Sequence, residues 1–148
     1  HLHSLIPDPP AAAVVREIYQ LYLDGLSLSK IASLLTKKQV MPPCFYKIQH
    51  GILFQTPFSK NKITDEADGK IPKWSASSVR HILTNPVYTG TLIQGTTKKE
   101  SAKSKKRIRL SSTEWIIYPN AHPALISEDM FCEVSSLLQK RRKKNKKV

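Results

Sequence analysis

From Pro9 onward the apolar residues Val14, Val15, Ile18, Leu21 and Tyr22 recur on one face at helical spacing, with Arg16, Glu17, Gln20 and Asp24 opposite. That spacing predicts an amphipathic helix. Pro9 and Pro10 suit its first turn, where a missing N–H has no partner to lose, and Gly25 supplies a stop. A second stripe, Leu28, Ile31, Leu34 and Leu35, follows with Ser27 placed as N-cap. Two amphipathic helices joined by a Gly-Leu-Ser turn have the form of the first half of a helix-turn-helix, a pattern that any helical hairpin also produces. From Met41 to Lys73 the periodicity stops and prolines interrupt the chain, which reads as a long loop of the functional or disordered kind. Phe45, Tyr46, Ile52, Leu53 and Phe54 suggest that the first half of this loop packs down, and its acidic cluster Asp65, Glu66 and Asp68 reads as a solvated turn.

The stretch WSASSVRHILTNPVYTGTLIQ, residues 74–94, predicts a third, short helix. Ser75 stands as its N-cap, Val79, Ile82 and Leu83 group on one side, and Ser77, Arg80, His81 and Thr84 group on the other with Ser78 at the flank. Pro86 biases Asn85 away from the helical region and ends the element. Val87 to Thr97 then reads as a strand with Gly90 as a bulge or a point of close approach. TEWIIYP reads as a second strand, so the basic stretch between them would be the long tip of a hairpin. A last helix opens at Ser127 with Glu128 and Asp129 at its positive end, Phe131, Val134, Leu137 and Leu138 as its apolar face, and Lys and Arg at its negative end. The expected architecture is α+β: a helix-turn-helix-like helical core, a small antiparallel β-hairpin and a C-terminal helix. A single domain over 1–148 is expected, with an arm at 1–10, an insertion at 41–73, a basic hairpin loop at 98–109 and a basic tail at 140–148.

Charge changes the picture most. Twenty-four Lys and Arg against 11 Asp and Glu leave a net +13 on 148 residues, a field that attracts a polyanion, although it also serves solubility. Seven basic residues lie between Lys98 and Arg109 and seven more between Lys140 and Lys147, so 7 + 7 = 14 of the 24 fall in two runs. Blocks of like charge tend to order only when a partner neutralises them. Cys44 and Cys132 stand far apart and form no zinc-ligand pair. They suit a reducing cytoplasm, and buried lone thiols are expected. No run of 18 or more apolar residues is present, so no membrane span is expected. With no initiator methionine and no signal-peptide pattern, the chain is expected to be a piece of a longer protein.

A short helix with one polar face, preceded by two packed helices and followed by basic segments, has the form of a recognition helix. Such a helix enters the major groove and reaches base edges from its exposed face. Arg80 would take guanine in bidentate fashion, Asn85 would read adenine, Ser77, Ser78 and Thr84 would serve phosphates or mixed contacts, and His81 either. An ordinary surface helix with no partner produces the same face.

Four blocks, LIPDPPAAAVVREIYQLYLDG, SLSKIASLL, WSASSVRHILTNPVYTGTLIQG and EWIIYPNAHPALISEDMFCEV, resemble in order and spacing the recombinase domain of large serine recombinases. The Pro43-x-x-Tyr46-Lys47 segment and the lysines from Ser101 to Arg107 look most like the recombinases of conjugative or mobilisable transposons and of phage integrases. The resemblance implies a double-stranded DNA-binding domain that takes half of an attachment site, largely through the major groove, with the entering arm near the minor groove. It also implies a separate catalytic domain bearing the serine nucleophile, a following zinc ribbon and a coiled coil, none of them within this chain, and an oligomer formed only by the whole protein on DNA. The insertion at 41–73 is longer than the family usually carries. Carried onto these positions, Trp74 starts the recognition element, and Ser75, Ser77, Ser78, Arg80 and His81 are its DNA-facing candidates. Thr96, Thr97, Lys98 and Lys99 are phosphate candidates, joined on charge alone by Lys105, Lys106 and Arg107 of the basic run, while Trp115 and the Ala121-His122-Pro123 turn match positions that look structural. Site-specific DNA integration and excision is the implied process, in a bacterial cytoplasm and at the nucleoid when bound.

An RNA-binding or ribosome-associated protein would share the charge. RNA readers usually display stacking aromatics on a sheet, and at 7% aromatic this chain has Tyr88, Trp115 and Tyr118 more easily read as core. As for catalysis by the chain alone, no Ser/His/Asp order, metal-ligand spacing or phosphate loop is present, and no cofactor or metal is expected.

Overall fold

In the computed structural model the described residues are 5–51, 73–101, 104 and 106–146, with side chains as far as Arg142. Five α-helices and four short strands lie along them: α1 (Pro9–Leu23), α2 (Leu28–Lys37), α3 (Pro43–Gln49), α4 (Ala76–Leu83), β1 (Leu92–Gln94), β2 (Thr97–Lys99), β3 (Arg107–Arg109), β4 (Ile116–Tyr118) and α5 (Glu128–Lys146). The fold is α+β, as the patterning predicts. The chain divides into two compact units, Gln20–Ile82 as one and His1–Tyr19 with Leu83–Val148 as the other.

The Gln20–Ile82 unit is helical. Its chain leaves α1 through a closed turn, in which the Leu26 N–H reaches the Leu21 carbonyl at 3.1 Å and the Gly25 N–H reaches Tyr22 at 3.1 Å. This closure places Gly25 at φ 96°, a left-handed conformation that only glycine adopts without a steric penalty. Ser27 then caps α2, its hydroxyl accepting from the Lys30 N–H at 3.3 Å. The same closure recurs after α2, with Val40 N–H to Leu35 O at 3.0 Å and Gln39 at φ 56°. Buried side chains of the unit include Tyr22, Ile31, Ala32, Leu35, Pro42, Trp74, Val79 and Ile82. The loop expected from Met41 instead begins with α3: Pro42 stands at its N-cap, Pro43 at its first position, and the Tyr46 and His50 rings stack at 4.2 Å one turn apart. Proline at the first helical position is preorganised for the turn, a start signal that outweighs the absence of periodicity in so short a helix. The remainder of the 41–73 segment, with Ile52, Leu53, Phe54 and the acidic cluster, lies almost wholly outside the described residues.

The other unit buries Ala12, Val15, Ile18 and Tyr19 of α1, Leu83, Ile126, and Val134 and Leu138 of α5. Tyr19, absent from the expected stripe, is fully buried. Arg16 Nε donates to the Leu125 carbonyl at 3.3 Å. The strand expected over Val87–Thr97 is broken. Pro86–Thr89 forms a 3₁₀ turn, with the Asn85 side chain accepting from the Val87 N–H at 3.1 Å and the Thr89 hydroxyl donating to Pro86 O at 2.8 Å. An Asx-type bond and a proline of preset φ favour a turn over an extended start. The Tyr88 carbonyl then accepts from the Leu125 and Ile126 N–H groups at 2.8 and 3.0 Å, and the Gly90 carbonyl from Ala121 at 2.9 Å. Gly90 is the close approach that its sequence context suggests: at φ 84°, an added Cβ would stand 2.7 Å from the His122 carbonyl oxygen.

Beyond Gly90 two antiparallel ladders follow in line. Leu92, Ile93 and Gln94 pair with Tyr118, Ile117 and Ile116, and Thr97, Lys98 and Lys99 pair with Arg109, Ile108 and Arg107. Two residues separate Gln94 from Thr97 but six separate Arg109 from Ile116, so the return strand carries four extra. They are taken up by a 3₁₀ turn, Ser112–Glu114, closed by a capping box between Ser111 and Glu114. This turn is why only Ile116–Tyr118 of TEWIIYP is strand. Within the 98–109 run, Lys98 and Lys99 are likewise paired with Ile108 and Arg107. Ser127 caps α5 with its hydroxyl 3.3 Å from the Met130 N–H, and the helix runs on to Lys146 because Lys and Arg are good helix formers that suit its negative end.

Two outcomes follow for stability. Gly25→Ala meets open space and is expected to lose only the left-handed penalty of about 1–2 kcal/mol. Gly90→Ala adds a clash with backbone and is expected to lose clearly more, as read by urea denaturation of both variants. Burial, and secondarily Tyr88, raises the Tyr19 phenol well above its ordinary value near 10, and burial raises Tyr88 as well. Their phenolates are disfavoured in the fold but free to form in the unfolded chain. Both phenols therefore contribute stability that is complete below pH 10 and lost as pH rises above it. In an alkaline titration, phenolate absorbance from Tyr19 should appear together with loss of helix signal and not before it.

Candidate nucleic-acid interface

The helix α4 is held at its start by one side chain. Trp74 is 7% exposed, its Nε1–H donates to the Val40 carbonyl at 2.8 Å, and its backbone N–H donates to the Thr36 hydroxyl at 3.0 Å. Thr36 in turn donates to the Ala32 carbonyl at 2.8 Å, so the entry to α4 is tied to the last turn of α2. Ser75 caps the helix by accepting from the Ser78 N–H at 3.0 Å, and the two hydroxyls lie 2.8 Å apart. Val79, Ile82 and Leu83 are buried, while Ser77, Arg80, His81 and Thr84 are exposed and Ser78 is half-buried. The two-sided pattern read from the sequence is thus the pattern of the fold.

Several candidates have local duties. Trp74 faces inward, a positioning residue for α4. The Ser75 hydroxyl caps, and Asn85 Oδ1 is engaged by its own turn. Among the described residues Arg80 and His81 are adjacent and exposed in the last turn of α4.

A second basic element is the β2–β3 ribbon. Its ladder extends past the strands at both ends, with Leu110 N–H to Thr96 O at 2.9 Å and Glu100 N–H to Lys106 O at 3.1 Å. Lys98 lies 3.9 Å from Glu114 and Lys106 3.1 Å from Glu100. Thr97, Lys98, Lys99, Lys106 and Arg107 are exposed and Thr96 half-buried. Lys105 lies outside the described residues. Arg109, the last residue of the basic run and absent from the phosphate candidates, pairs directly with Thr97 and is exposed. Its signal was the Arg-x-Arg alternation, which places Arg107 and Arg109 on one face of a strand. Trp115 donates to Leu110 O at 3.1 Å, and His122 Nδ1 lies 3.2 Å from Pro123 O.

Residues 9–141 match the Recombinase family, and the chain belongs to it. The Uncharacterized protein YefB of Bacillus subtilis (strain 168) is similar: 38% identical over 72 residues, 49% of this chain and 24% of that protein's length. The chain thus spans about a quarter of the relative it matches. No solved structure matches it. No helix among the described residues is long and apolar enough to cross a membrane.

Ser75→Ala removes the cap of α4 and is expected to lower stability by about 1 kcal/mol, measured by denaturant unfolding. Ser75→Asp, which restores an acceptor, should recover most of it.

Proposed function

We propose that the chain is a DNA-binding domain of a large serine recombinase, taking half of an attachment site during site-specific integration and excision. The observation that carries this reading is the family match over residues 9–141, which takes in both α4 and the basic ribbon. The catalytic serine domain and a zinc ribbon belong, in this reading, to other parts of the recombinase, and the whole of 1–148 acts as one binding domain. Its task is to bind and position DNA and not to cut it.

Within the domain, α4 reads sequence. Exposed Arg80 and His81 stand on a short helix whose opposite face is buried and whose start is pinned by Trp74. A guanidinium there suits the O6 and N7 of guanine, a contact that discriminates bases, whereas lysines at phosphates supply sequence-independent affinity. Ser77 and Thr84 flank the pair as phosphate or mixed contacts. Asn85 and Ser75 contribute by shaping the two ends of α4.

The test is selection of retained sequences from random duplexes, followed by comparison of Arg80→Ala on the selected site and on unrelated duplex. The substitution should weaken the selected site by about 1–3 kcal/mol and unrelated DNA far less. Equal loss on both rejects base reading by α4.

A further inference from the structure

The register of the ribbon sorts its charges by face. In an antiparallel ladder, paired residues project to the same side and successive residues to opposite sides. The pairs Thr97–Arg109 and Lys99–Arg107 therefore share one face. Lys98–Ile108, with Thr96–Leu110 and Glu100–Lys106 continuing the ladder beyond it, share the other. The two faces differ in kind. On the second, Thr96, Ile108 and Leu110 are half-buried, and both lysines lie beside carboxylates, Lys98 with Glu114 and Lys106 with Glu100. On the first, all four side chains are exposed, and Lys99, Arg107 and Arg109 have no acidic partner among the described residues. The neutralised face is the one that turns toward the protein, and three uncompensated cations stand together on the one that does not.

We infer that the Thr97/Lys99/Arg107/Arg109 face is a phosphate-binding surface for double-stranded DNA, and that Lys98 and Lys106 do not contribute to it. This rests on the DNA-binding reading above and redraws its electrostatic half. Along each strand the two residues of the face stand about 6–7 Å apart and the strands about 5 Å apart, so the three cations form a compact cluster on a stiff paired backbone. A two-stranded ribbon is also an element that the major groove admits. Two guanidinium groups in the set suit phosphate oxygens through bidentate hydrogen bonds, with Lys99 as a point charge beside them. Glu114 has a second duty in the capping box that closes the Ser112–Glu114 turn, so the acid that offsets Lys98 is fixed in place. Exposed ion pairs of this kind are worth little to stability. Here their consequence is to remove two lysines from the cationic field.

The experiment compares two double variants of equal charge change, Arg107→Gln/Arg109→Gln and Lys98→Gln/Lys106→Gln, by measuring the Kd for duplex DNA across a salt series. Each phosphate contact contributes about 0.9 to the slope of log affinity against log salt. The arginine pair is expected to lower that slope by about 2 and to weaken binding at every sequence alike, whereas the lysine pair should leave it within a few tenths. Arg107→Lys/Arg109→Lys, which keeps the charge, should hold the slope near the original and exclude a folding defect as the cause. Equal slopes for the two charge-removing pairs, or an unchanged slope for the arginine pair, would overturn the inference. If the unsubstituted chain binds duplex without sequence preference, base reading by α4 fails while the comparison of faces still stands. If it binds no duplex, both readings fall.

Discussion

A buried indole sets the place of α4. Trp74 donates its ring N–H to the Val40 carbonyl and its backbone N–H to Thr36, so residues far apart in sequence meet through one side chain. A tryptophan can be buried at low cost only when its N–H finds a partner, and the carbonyl it uses is available because the turn after α2 closes with Gln39 in a left-handed conformation. From that anchor the rest of α4 follows locally. Ser75 caps, three apolar residues turn inward, and the polar face is presented without any further constraint. A short helix is marginal by itself, and its exposed side chains hold a defined geometry because its start is fixed and Val79, Ile82 and Leu83 are buried.

The ribbon rests on a different constraint, the register of its backbone. Four extra residues on the return strand are absorbed by a capped turn between the two ladders, and this sets which residues face which at the basic end. A slip of one residue would exchange the faces and bring the free arginines to the side where Ile108 and Leu110 are half-buried. Register therefore decides charge presentation here, and the carboxylates of Glu100 and Glu114 complete the sorting. Helix and ribbon differ in what they expose, the one Ser77, Arg80, His81 and Thr84, the other a ladder whose two faces carry different charges.

The local signals were legible where an element's boundary is written in short-range chemistry. Ser27, Ser75 and Ser127 each accept a bond from the third residue of the helix they precede, and Gly25 closes α1. The apolar stripe of α4 is the buried one. Legibility failed where a strand pattern competed with turn chemistry. Val87 to Gly90 is β-branched and aromatic enough to look extended, yet the Asn85 side chain and Pro86 curl it into a 3₁₀ turn. Tyr19 stands outside the expected apolar stripe of α1 and is buried completely.

From the sequence alone came the α+β class, the caps, the cationic excess and the two-sided character of α4, since each depends on residues within a turn or two of one another or on composition. The tertiary structure decided the rest. It made Trp74 an anchor, converted the basic run into a ladder, paired Lys98 and Lys106 with acids, and left Lys99, Arg107 and Arg109 together on an open face. Those outcomes depend on which backbone groups and carboxylates come within about 3–4 Å after folding, and Coulombic and hydrogen-bond energies at that range are set by position in space, not by spacing along the chain.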